Sequence, residues 1–165
     1  MVLTKAELFS DTKSELQSMG LQIISEDSSR PWGGFFVISD ESFQTFFNLF
    51  FEGELSSRDL SDLTFSPKVL LIEPGKRLSW QYHDRRSEYW KIFRGNAHVV
   101  ISENDLQNPP QLLQEGDIIR LDRGVRHRLI GLDDWCIVAE IWEHSDPNNP
   151  SDEEDIIRVE DDFGR

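Results

Sequence analysis

Between Lys68 and Trp142 the chain runs in short stretches of alternating polar and apolar residues, each cut by a turn signal: Pro74-Gly75, Gly95, Asn108-Pro109-Pro110, Gly116, Gly124 and Gly131. Alternation with a period of two gives a strand one apolar and one polar face, and glycine, proline and asparagine supply the geometries that reverse the chain. The pattern predicts an all-β fold. Two sheets closing on each other as a jelly-roll barrel would cover the strand edges that such a chain otherwise exposes.

The flanking segments read differently. Thr4-Lys5-Ala6-Glu7 fits a capping box, and the residues that follow to Met19, closed by Gly20, predict a helix. After Ser39-Asp40, Phe43, Phe46, Phe47 and Phe50 recur at helical spacing and predict a short second helix ending near Gly53. That aromatic stripe belongs in a core or a subunit interface rather than around a cofactor. The organisation expected is an N-terminal helical arm over residues 1–29 and a barrel domain over residues 30–165 with a helical insertion near 40–53. The segment HSDPNNPSDEED is Pro- and acid-rich and reads as loop, and IIRVEDDFGR as a final short element.

Length and charge narrow the function. The 165 residues suit one domain. A net charge of −14 argues against nucleic acid and anionic membranes as partners. No apolar run approaches the ~20 residues of a membrane span, and the charged start MVLTKAELFSDTKSE lacks the apolar stretch of a signal peptide, so a cytoplasmic location is expected. The lone Cys136 sits in the apolar run WCIVAEIW and reads as core. His98 reads as an ordinary strand histidine and His144 as an exposed loop residue. The charge is uneven, however: residues 75–128 carry ten Lys or Arg against seven Asp or Glu, a local excess that would welcome an anion. Arg77, Arg85 and Arg86 are the candidates nearest the chemistry.

That chemistry rests on Gln81, His83, Glu88 and His127. Strand alternation puts Ser79, Gln81 and His83 on one face and Leu78, Trp80 and Tyr82 on the other. Glu88 opens the run Glu88-Tyr89-Trp90-Lys91-Ile92, expected to return antiparallel beside the first strand and carry its carboxylate toward His83. His127 follows Gly124 in the later segment. One amide oxygen, two imidazoles and one carboxylate suit one borderline divalent ion, Zn first and Mn, Fe, Co or Ni after it, with positions left for water or substrate.

RPWG at residues 30–33, LSWQYHDRRSEYW at 78–90, HRL at 127–129 and EDIIRVEDDFGR at 154–165 occur in this order, and with them the chain resembles the type II phosphomannose isomerase cupin, a module also found fused to mannose-1-phosphate guanylyltransferase. The resemblance covers Arg30 to Arg165. It implies a cupin barrel (a double-stranded β-helix), a metal held by Gln81, His83, Glu88 and His127, and isomerisation of an aldose phosphate to its ketose phosphate, with mannose 6-phosphate to fructose 6-phosphate the first expectation. A base would move a proton between C1 and C2, with Lys68 and Glu140 competing for that role. Arg86 would stabilise the enediolate or grip phosphate, and Ser79, Arg77 and Arg158 would bind substrate. A homodimer is also expected, through a sheet edge or the N-terminal arm.

The chain departs from the family pattern at Trp142, where a glutamine is usual, at Asp122, where a proline is usual, and in the Phe-rich insertion. Relatives with that insertion are sometimes labelled phosphoheptose isomerases, so a heptose phosphate is a competing substrate. No Gly-rich pyrophosphorylase loop is found, and nucleotidyl transfer is not expected. A cupin that binds a sugar phosphate without turnover is the alternative from another class. A metal-dependent oxygenase is a third, and it would consume oxygen with Fe(II).

Overall fold

The computed structural model describes residues 1–54 and 64–165. Helix α1 (Lys5–Ser18) starts at the expected capping box: Thr4 accepts from the Glu7 backbone N–H, and the Glu7 carboxylate accepts in turn from that of Thr4. A strand, β1 (Ile23–Asp27), follows, and it pairs antiparallel with β2 (Gly33–Ile38). The segment read as a helical arm therefore also carries an outer strand of the barrel. A short 3-10 turn leads into α2 (Phe43–Phe50). The remaining strands are β3 (Phe65–Ile72), β4 (Trp80–Tyr82), β5 (Arg86–Arg94), β6 (Ala97–Ser102), β7 (Gln111–Leu113), β8 (Ile118–Leu121), β9 (Arg126–Gly131), β10 (Cys136–His144) and β11 (Ile157–Glu160).

They form two sheets, one of six strands in the order β1-β2-β3-β10-β5-β8 and one of five in the order β11-β4-β9-β6-β7. One expectation is corrected here. Strand β5 does not return beside β4: β4 pairs with β9 and β11, while β5 lies between β10 and β8 in the other sheet. Period-two alternation fixes the face of a side chain but not which strand lies alongside.

The six-stranded sheet is apolar on both faces. On β3, Val69 and Leu71 belong to an outer cluster with Leu16, Phe36, Phe46 and Phe50, and Leu70 and Ile72 to an inner cluster with Trp90, Leu129 and Val138. Helices α1 and α2 cover the outer face, which explains why WCIVAEIW reads as a continuous apolar run rather than as an alternating one. The Phe stripe is core: Phe46 and Phe51 are fully buried, and the Phe46 and Phe50 rings lie 4.8 Å apart. Burying one such ring contributes about 1.5–3 kcal/mol. Gly33 of the RPWG motif has φ +142, and a Cβ there would collide with the Leu71 carbonyl oxygen, so the close approach of β2 to β3 requires glycine.

The same alternation aims the inner face. On β10, Ile137, Ala139 and Ile141 point to the helices, leaving Cys136, Val138, Glu140 and Trp142 to face the barrel interior. On β5, Tyr89 faces outward while Glu88 and Trp90 face inward. On β3, Lys68 lies inside, as the Cα partner of Glu140.

Candidate metal centre

Gln81 on β4 and His127 on β9 are Cα partners, so both side chains leave the five-stranded sheet on its inner face. His83 follows directly after β4, and Glu88 reaches in from β5 of the opposite sheet. His83, Glu88 and His127 are all buried, and each offers a ligand atom within 4.8 Å of the others. His83 Nε2 lies 3.1 Å from Glu88 Oε1, and His127 Nε2 lies 3.4 Å from Glu88 Oε2.

The backbone decides which ring nitrogens are free. His83 Nδ1 lies 2.6 Å from the Asp155 carbonyl oxygen and His127 Nδ1 lies 3.0 Å from that of Val125. A carbonyl only accepts, so each Nδ1 carries the proton and each Nε2 presents a lone pair toward Glu88. Burial pushes the His83 pKa down despite the Glu88 charge, which keeps the ring neutral as a ligand must be. Burial works against the Glu88 carboxylate as well, yet its neighbours, the Arg86 guanidinium at 2.8 Å among them, hold it well below the ordinary carboxylate range. The His83 Nε2 lone pair accepts from Arg86 Nη2 at 3.2 Å, whereas Glu88 Oε2 and His127 Nε2 are buried without a hydrogen-bond partner. Such an arrangement is satisfied by a cation, and the N/O donor set fits a divalent ion.

Glu88 and Gln81 open onto a cavity between the sheets that is also lined by Ser79, Lys68, Glu140 and Trp142. Ser79 donates to the Gln81 side-chain oxygen, turning that amide rather than standing free for substrate. Arg86 is a buried hub: it donates to Glu88 Oε1 at 2.8 Å and to Ser151 Oγ at 2.8 Å, and its guanidinium stacks 3.7 Å from the Trp142 ring. Lys68 lies on the other aromatic contacts, 3.8 Å from the Trp142 ring and 4.6 Å from Phe35, and its ammonium pairs with Glu153. Glu140 accepts from Trp90 Nε1 at 2.7 Å and from Trp142 Nε1 at 2.8 Å. Burial and the nearby Glu88 charge raise its pKa to about 8, with Lys68 and Arg86 opposing.

Several sequence expectations land elsewhere. Arg77 does not line the cavity: its guanidinium makes a two-point ion pair with Asp162, at 2.6 and 2.8 Å, at the edge of the five-stranded sheet. Arg85 is held by Pro150 O and Asp152. His144, expected to be exposed, is 3% exposed, accepts from the Ser151 backbone N–H and donates to Ser66. Cys136 is core, and burial pushes its thiol up to about 12.

The acid-rich loop hid functional residues. Buried Asp155 accepts from the backbone N–H of Asp84 and Arg85 and from Ser151 Oγ, and its own carbonyl orients His83. This supports the ligand from behind. Composition made the segment read as solvated loop, and only the burial of Ser151 and Asp155 distinguishes it.

Residues 53–161 match the family described as mannose-6-phosphate isomerase C-terminal. The chain is 34% identical over 101 residues to xanthan biosynthesis protein XanB of Xanthomonas campestris pv. campestris, which is 61% of this chain and 20% of that protein. It is 30% identical over 101 residues to a mannose-1-phosphate guanylyltransferase of Escherichia coli, again 61% of this chain and 20% of the relative. The chain thus spans about a fifth of the length of these curated relatives. Among solved structures, a mutant of Bacillus subtilis oxalate decarboxylase OxdC superposes with a TM-score of 0.58 at 13% identity, covering 81% of this chain and 30% of that one. Vicilin from Corylus avellana superposes with a TM-score of 0.56 at 13% identity, covering 84% and 36%. These likenesses concern the fold, which is a cupin barrel.

Proposed function

Because the chain belongs to the mannose-6-phosphate isomerase C-terminal family, we propose that it interconverts an aldose phosphate and its ketose phosphate, mannose 6-phosphate and fructose 6-phosphate first, at a centre for one divalent ion. The observation that carries this reading is the buried His83–Glu88–His127 cluster, in which Glu88 Oε2 and His127 Nε2 lack a hydrogen-bond partner, beside a cavity lined by cations. Gln81, His83, Glu88 and His127 would hold the ion, zinc first among the candidates, and when bound it would supply positive charge where negative charge develops on the substrate's oxygens.

The chain's own residues supply the rest. Isomerisation moves a proton between C1 and C2 and needs a group that takes it up and returns it near neutral pH. Glu140 suits that role, because it is buried in the cavity wall and its pKa of about 8 lets it exchange a proton in that range. Lys68, paired with Glu153, is better suited to holding an anionic oxygen. Arg86 fixes Glu88 and carries a second positive charge under Trp142. Trp32, Phe35 and Leu70 give one wall an apolar surface that limits water around the reacting carbons.

A second reading has the module bind a sugar phosphate without turning it over. Its support is that both base candidates are engaged, Glu140 by two indole donors and Lys68 by Glu153. NMR in D2O on the metal-loaded protein separates the two. Deuterium incorporated at C2 of mannose 6-phosphate, with ketose product, is the outcome expected of the isomerase; tight binding with no exchange across a panel of aldose phosphates, heptose phosphates included, would establish the binding module instead.

The proposed homodimer draws support from β1, an outer strand that exposes Ile24. Light scattering on the full chain tests it.

A further inference from the structure

Five cations line the cavity: Arg30, Lys68, Arg86, Arg158 and Arg165. Four have a carboxylate partner. Arg30 pairs with Asp27 at 2.9 Å, Lys68 with Glu153, Arg86 with Glu88, and Arg165 with Asp161 through two nitrogens at 2.9 and 3.0 Å. Arg158 differs: among the described residues no hydrogen bond or ion pair reaches its guanidinium, and its Nε is buried and unsatisfied.

Its position is set by the sheet. Arg158 on β11 is the Cα partner of Gln81 on β4, so the two side chains leave the strands on the same face, toward the cavity. Arg30 enters from the turn between β1 and β2, and Arg165 from the residues after β11. Three guanidinium groups, one from the β1–β2 turn and two from the C-terminal stretch, thus line the same cavity. They are close enough to repel: after burial, the charges of Arg165 and then Arg30 push the Arg158 pKa down, against the opposing charge of Asp161, which itself is paired with Arg165. Positive charges are brought together at such a cost where an anion is to be held, and a planar guanidinium presents paired donors that match a phosphate.

We propose that Arg158, flanked by Arg30 and Arg165, grips the phosphate of the substrate, so that the cavity selects a phosphate monoester over the neutral sugar. The inference rests on the sugar-phosphate reading of the same site. It adds that discrimination comes from the β1–β2 turn and the C-terminal strand rather than from Arg77 or Arg85.

Calorimetric titration of the metal-loaded full chain with inorganic phosphate, mannose 6-phosphate and mannose tests this. The wild type is expected to bind the two phosphates and to bind mannose far more weakly. Arg158→Ala is expected to weaken both phosphates by about ten- to a hundredfold with metal content unchanged. Arg158→Lys, which retains charge but loses the fork, should fall between, and it keeps the test sound if the alanine variant folds poorly. Arg94→Ala, which removes an exposed charge paired with Glu15, controls for net charge and should leave binding as it was. Phosphate binding that survives in both Arg158 variants overturns the proposal, as does equal affinity for mannose and its phosphate. The two readings fail separately. Phosphate binding lost in Arg158→Ala without any C2 exchange in the wild type leaves the grip standing and removes the isomerase; exchange whose KM is unchanged in Arg158→Ala does the reverse.

Discussion

His83 and Glu88 face each other at 3.1 Å from opposite sheets of the barrel, with the imidazole lone pair turned toward the carboxylate. Arg86 bridges the pair, donating to Glu88 Oε1 at 2.8 Å and lying 3.2 Å from His83 Nε2, while Glu88 Oε2 and His127 Nε2 are left buried without a hydrogen-bond partner, a pair that a metal ion would satisfy.

Elemental analysis after reconstitution is therefore expected to find about one divalent ion per chain. Glu88→Gln or His127→Ala should lower metal affinity by at least about tenfold. At a hundredfold excess over Kd the ion should add roughly 2–3 kcal/mol to stability, so stripping it with chelator should lower Tm by several degrees. A Tm insensitive to both chelator and Glu88→Gln would show that no metal is held there.

The loop carbonyl that orients His83 depends on the Asp155 side chain, which accepts from two backbone N–H groups and from Ser151. Asp155→Ala should cost about 1–3 kcal/mol in denaturant unfolding. It should also weaken metal binding although Asp155 is no ligand, because His83 loses its fixed tautomer. Unfolding midpoints and metal titration on one preparation check both, and an unaltered metal affinity would confine Asp155 to a structural role.

Glu140 gives the metal-free protein a pH signature. Its folded pKa, about 8, lies above the ordinary value of 4.5. The folded state thus holds a proton that the unfolded state releases, and the associated stability is fully present below pH 4.5 and is lost as pH rises through 8. Between these limits the slope is about 1.4 kcal/mol per pH unit at most. Because the buried His83 ring, whose pKa is lowered, favours folding as pH rises, the informative quantity is the difference between wild type and Glu140→Gln. That difference should shrink steadily from pH 5 to 8 in urea titrations, and a constant difference would mean that Glu140 is ionised throughout.

Trp142 separates two cations, with Lys68 3.8 Å and Arg86 3.7 Å from its ring, while its N–H binds Glu140. Trp142→Phe keeps a ring for both cations and removes only the donor. It should cost about 1 kcal/mol and shift the pH profile of turnover, since Glu140 then loses a group that favours its charged form. Trp142→Leu removes the ring as well and should cost about 1–2 kcal/mol more, read from chemical unfolding.

Strand and helix periodicity is written directly in the order of residues. Thr4 and Glu7 announced the start of α1, the Phe spacing announced α2, and alternation put Gln81 on an inward face beside His83. The four candidate ligands were legible because metal chemistry accepts few side chains, and the family motifs were legible because they are contiguous. Only the tertiary structure decided which strands lie side by side. Alternation is a local property, whereas pairing depends on contacts between distant segments. For this reason Glu88 arrives from the sheet opposite His83, Arg77 turns to Asp162 at the sheet edge, and His144 is enclosed behind the loop. Arg158 was legible as a substrate residue and Arg30, Asp155 and Arg165 as parts of the motifs, but their grouping and the hold of Asp155 on His83 were not. Both depend on neighbours that the chain brings near only on closing the barrel.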